Sequence, residues 1–138
     1  MSTGRKHERD DRPEAVRQAD RGARTWRAVV HAQRTATPDH ADFYALAGEV
    51  VDTLASLEAL ARVLTRQVDR YAEQSVYDDS GTVDPFERLA DAADESEALA
   101  RALYGAGRHA NRFWSAIGHI GVRDAGEPGA TSGPGGAR

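Results

Sequence analysis

Cysteine is absent from the 138 residues, which removes disulfide bridges, thiolate nucleophiles and thiolate metal sites together. The fold must therefore rest on packing alone. Long apolar runs are missing too: nothing approaches the roughly 20 residues needed to span a bilayer. Met1 to Arg12 is charged throughout, without the apolar stretch of a signal peptide. A cytoplasmic protein with no membrane association is expected. Lysine is nearly missing, since only Lys6 stands among 18 basic residues; this arginine bias, with abundant alanine, carries no functional weight.

Recognisable catalytic and metal motifs are missing as well. A carboxylate di-metal bundle needs Glu-x-x-His pairs, and none of His7, His31, His40, His109 and His119 follows a glutamate at that spacing. His109 and His119 lie ten residues apart, about 15 Å along a helix, too far to share an ion. Reading Asp78-Asp79-Ser80-Gly81 as a calcium loop puts Val76 where the first ligand belongs, so a solvated turn is the better reading. No phosphate loop, nucleophile elbow or zinc motif occurs. No catalytic residue, cofactor, metal or small-molecule substrate is expected.

What is present is helical periodicity. Three segments each open on a proline. Asp84-Pro85-Phe86-Glu87 combines an N-cap, a proline at the first helical position and a glutamate placed for a capping box. Thr37-Pro38-Asp39 repeats the pattern with Thr37 as the expected cap, and Asp11-Arg12-Pro13-Glu14 is a weaker version. Helices are expected over about residues 13–35, 38–74 and 85–120, with a turn-rich connection from Ser75 to Val83.

The second helix carries Phe43, Ala47, Val50, Leu54, Leu57, Ala61, Leu64, Val68 and Tyr71 at alternating steps of four and three. The third carries Leu89, Ala92, Ser96, Leu99, Leu103, Ala106, Ala110, Phe113, Ile117 and Ile120 in the same way, with Ser96 the only polar member. These are heptad seams of coiled-coil type, and joined by a short loop they should zip together antiparallel. Residues whose numbers sum to about 158 then lie opposite each other. Charge supports that orientation: Arg62, Arg66 and Arg70 fall beside Glu87, Asp91, Asp94, Glu95 and Glu97, while Asp42, Glu49 and Asp52 fall beside Arg101, Arg108 and Arg112. Helix one presents Val16, Ala19, Ala23, Trp26 and Val30 at heptad spacing and is expected to pack on the wider, open end of the hairpin. The expected fold is all-α: a three-helix bundle domain over residues 11–122, with disordered tails at 1–10 and 123–138. Gly105 and Gly107, beside Ala102, Ala106 and Ala110, form a small-residue strip that either admits a close neighbour or marks a kink.

Charge is uneven. Residues 1–36 hold nine basic and five acidic side chains, whereas 37–83 hold three and nine. Arg17, Arg21, Arg24 and Arg27, with Arg34 further on, form an arginine cluster on helix one that could grip phosphates; neutralising the acidic second helix is the plainer reading. In size and shape the hairpin, about Pro38 to Val122, looks similar to the WXG100 family of secreted helical hairpins. That family places Trp-x-Gly in the turn; here the turn lacks tryptophan, and Phe113-Trp114-Ser115-Ala116-Ile117-Gly118 lies at the other end.

Complete seams without chemistry point to a non-enzymatic protein-interaction module, acting on a partner protein or as a homodimer. The expected contact residues are Leu60, Val63, Val76 and Tyr77, apolar side chains on the loop-side half with no obvious cover. A nucleic-acid-associated accessory protein using Arg17, Arg21, Arg24 and Arg27 stands second, and an exported WXG100-like hairpin third.

Overall fold

A computed structural model describes residues 10–121 and residue 123. Almost all of the two expected tails lies outside the described residues. The described residues hold three helices and no strand: α1 (Glu14–Thr35), α2 (His40–Tyr71) and α3 (Pro85–Gly118). The chain divides after Pro38 into two compact units. In the second, α2 and α3 pack on each other along their length as the expected hairpin. α1 belongs to the first unit, and its docking on the open end of the hairpin stays an expectation.

The helix starts follow capping chemistry. Asp84 accepts from the Phe86 amide at 2.9 Å, and Pro85 opens α3. The reciprocal box forms at α2 instead: Asp39 accepts from the Asp42 amide at 2.9 Å, and the Asp42 carboxylate accepts from the Asp39 amide at 3.3 Å. The cap is thus Asp39 and not Thr37. Starting at Thr37 would place His40 at the third helical position, whereas starting at Asp39 places an acid there, satisfying two free amides at once. α1 opens after Pro13 with no side-chain cap.

The hairpin register is set by a polar rung. The Thr65 and Ser96 hydroxyl oxygens lie 2.7 Å apart, three residues from the expected alignment. Each hydroxyl also reaches a carbonyl of its own helix, Ala61 and Ala93, so neither is left unsatisfied between the helices. Counting outward in heptad steps, Ala61 comes level with Ala100, Val68 with Ala93, Leu54 with Gly107, Val51 with Ala110 and Ala47 with Trp114.

Those rungs use a different seam from the expected one. The packed positions of α2 are Ala47, Val51, Leu54, Glu58, Ala61, Thr65 and Val68; those of α3 are Leu89, Ala93, Ser96, Ala100, Leu103, Gly107, Ala110, Trp114 and Ile117. One column of each expected seam is kept, and the other is replaced by its neighbour one residue on. Among the described residues, the buried apolar residues are Ala47, Ala61, Ala100 and Ala110. Small side chains let two helices approach closely, toward the ~8 Å end of the usual interaxial range. At the open end the Trp114 indole fills the space beside Gly48 and meets the Tyr44 ring at a centroid distance of 5.5 Å.

The expected ion pairs between α2 and α3 do not form among the described residues. Arg62 pairs with Glu58 at 2.8 Å and Arg101 with Glu97 at 3.4 Å, each one helical turn away. An exposed arginine loses less freedom reaching along its own helix than across to another, and either pair is worth only ~0–1 kcal/mol.

Gly105 and Gly107 neither break α3 nor admit a close neighbour: the helix runs through both, and a Cβ at either would meet nothing within 4 Å. Alanine at either position should raise stability by about 0.5–1 kcal/mol. Gly81, in the connecting loop, has φ of 66°, where alanine is strained by about 1 kcal/mol or more. Thermal melts of the three single variants should therefore move in opposite directions, with Gly81→Ala alone falling below the parent.

Candidate interaction surface

The exchanged seam leaves a second column on each helix. On α2 it is Phe43, Val50, Leu57, Leu64 and Tyr71, at strict seven-residue spacing; on α3 it is Ala92, Leu99, Ala106 and Phe113, continued past the helix end by Ile120. Each column lies three residues after a packed position. Because the helices run in opposite directions, that offset turns both columns to the same side of the hairpin. Exposure agrees: the large members of both columns are 37–58% exposed. The face carries no charge along either column, and Leu60 widens it on the α2 flank. Its opposite carries Gly48, Ala55, Arg62 and Asp69 on α2 and Glu97, Tyr104 and Asn111 on α3, so it is mixed, with Tyr104 its large exposed apolar member on α3.

Two apolar seams side by side give a helix a stripe wide enough for two neighbours, as in bundles. One neighbour of each helix is its hairpin partner. Nothing among the described residues of this unit covers the second stripe.

The four expected contact residues do not make one patch. Leu60 borders the apolar face. Val63 is exposed, but by helical angle it points directly away from α3. Tyr77, 84% exposed, and the half-buried Val76 line one shallow groove at the loop with Tyr71, Pro85 and Leu89. Leu57, Leu64, Leu99 and Phe113, expected from the sequence in the interior of the hairpin, are 43–51% exposed instead. Their seven-residue repeat was visible, but equal spacing in two adjoining seams leaves the choice between them to helix separation.

The loop is held by Asp78. Its side chain, only 6% exposed, accepts from Ser80 Oγ and, at 2.9 Å, from Arg88 Nε of α3. These bonds, that from Ser80 foremost, draw its carboxyl down to about 2. A carboxylate whose folded pKa is depressed contributes stability above its unfolded value near 3.9, and the contribution is lost as pH falls toward the folded value. Asp78→Asn should therefore melt below the parent at pH 7, and the gap should close between about pH 4 and pH 2. A gap that persists at pH 2 would show that the residue acts other than through its charge.

In the first unit, two members of the arginine cluster, Arg17 and Arg24, are answered by carboxylates of their own helix. Arg17 pairs with Glu14, Arg24 with Asp20, and Arg12 bridges Asp10 at 2.8 Å and Asp20 at 3.1 Å. Arg21 reaches Gln18 at 3.3 Å. Hydrogen bonds from Arg12 draw Asp10 down to about 2, Arg12 also lowers Asp20, and Arg17 lowers Glu14. These pairs include Asp10, the last residue of the expected N-terminal tail. Arg17, Arg21 and Arg24 share the face opposite Trp26, whereas Arg27 lines a groove with Trp26, Val30, His31 and Arg34. The four candidate arginines are split between two sides of α1.

Among the described residues no helix is long and apolar enough to cross a membrane. No family model, curated protein or solved structure matches the chain.

Proposed function

We propose that this chain is a non-enzymatic interaction module whose working surface is the apolar face of the α2–α3 hairpin, and that it acts in the cytoplasm. The observation that supports the reading is the pairing of an alanine-lined interior with exposed leucines and aromatics in two aligned heptad columns. A hairpin with that distribution buries little of its own apolar surface and gains by docking against further helices, at about 25 cal/mol per Å² before association costs are subtracted. The arginines of α1 support a phosphate-binding reading less well, since Arg17 and Arg24 are already engaged by carboxylates.

A dye that fluoresces on exposed apolar surface tests the reading. Dilute, dissociated protein should bind it, and Leu57→Glu with Leu64→Glu should cut that binding several-fold. Monomeric parent protein that ignores the dye, or a variant that binds it equally, would show that the face is not open for docking. A salt titration against random duplex DNA supplies the control, because phosphate contacts must give strong salt dependence.

A further inference from the structure

We infer that the occupant of this face is a second copy of the chain, stacked so that α2 lies antiparallel on α2 of its twin and α3 antiparallel on α3, giving an antiparallel four-helix core. The inference rests on the reading of the face as a docking surface and adds what docks there.

Three features of the face suit a twin. The first is symmetry. The α2 column is centred on Leu57 and the α3 column on Ala106. Eight residues back from Thr65 and eight forward from Ser96, the polar rung brings Leu57 level with Tyr104, half a turn from Ala106. A single two-fold axis running across the hairpin through Leu57 and Ala106 therefore maps both columns onto themselves. It sets Val50 against Leu64 and Leu99 against Phe113 of the two copies, with Leu57 meeting Leu57 and Ala106 meeting Ala106.

The second is charge. Neither column carries a charged side chain from end to end, so stacking the two faces would bury no unpaired charge, which a sealed interface tolerates poorly.

The third is area. At the exposures observed, and with on the order of 150–200 Å² for each free side chain, the large residues of the face offer on the order of 700 Å² per copy, near the roughly 800 Å² per partner of a standard interface.

The absence of cysteine makes a direct test possible. Leu57→Cys and Ala106→Cys, made singly in the full chain, each place a thiol on the axis, where the Cα separation can fall within the roughly 4.4–6.8 Å that a disulfide requires. Under mild oxidation both should convert to covalent dimer at least tenfold faster than Val63→Cys, which points away from the twin. Sedimentation of the oxidised and reduced forms should give the same dimer mass. Equal rates for all three variants would overturn this arrangement. A parent chain that sediments as a monomer yet binds the apolar-surface dye would overturn the twin while leaving the docking face standing. A monomer that ignores the dye would overturn both.

Discussion

Leucine in place of Ala61 or Ala100 is expected to damage the hairpin severely. The two residues are 2% and 1% exposed and level with each other across the seam, so an added isobutyl group has nowhere to go without driving the helices apart. Overpacking of this kind costs about 1–3 kcal/mol per site, and residues in one rung do not add independently. In a hairpin whose buried apolar residues are four alanines, the double variant should lose its cooperative melt. Ala92→Leu is the matched control. It lies on the exposed column, so it should leave the melt of the hairpin unchanged or strengthen assembly. Denaturant or thermal unfolding followed by circular dichroism distinguishes the outcomes. Equal damage from Ala92→Leu and Ala100→Leu would mean that the helices meet along the column of Leu57 and Leu99 after all.

Glutamate at Leu57 and Leu64 together is expected to have the second large effect, and of a different kind. Both side chains are more than two-fifths exposed in the hairpin, so the isolated α2–α3 pair should tolerate the change with its helicity intact. In the proposed assembly the glutamate in place of Leu64 would meet Val50 and the one in place of Leu57 its own like-charged copy, and burying an unpaired carboxylate costs several kcal/mol. Association should fall at least a hundredfold. Leu60→Glu with Val63→Glu should weaken it less, because Leu60 sits only at the margin of the face and Val63 on another side of α2.

The hairpin was legible in the sequence because three independent signals coincide on it: proline-marked starts, an interrupted turn-rich loop, and two heptad seams of similar length. The seam along which the helices pack was less legible for a physical reason. Ala47, Leu54, Ala61 and Val68 belong to two seams at once, one completed by Val50, Leu57 and Leu64, the other by Val51, Glu58 and Thr65. Choosing the more apolar seam as the interior is sound for a helix with one apolar seam, and it fails for a helix that carries two adjoining ones. Small residues at Ala61 and Ala100 and the Thr65–Ser96 rung select the closer approach, which leaves the bulky column outside. In the arginine cluster, Glu14 and Asp20 sit one turn from Arg17 and Arg24, the two arginines they pair with, a spacing that a count of charges alone does not weigh.

The docking role of the apolar face is tested most directly by sedimentation of the full chain as its concentration is raised, with Leu57→Glu/Leu64→Glu run alongside. The parent chain should move from one to two chain masses over the series, while the variant holds at one chain mass with unchanged helicity. A parent chain that stays at one chain mass up to the highest concentration, with the same dye binding as the variant, would contradict the account.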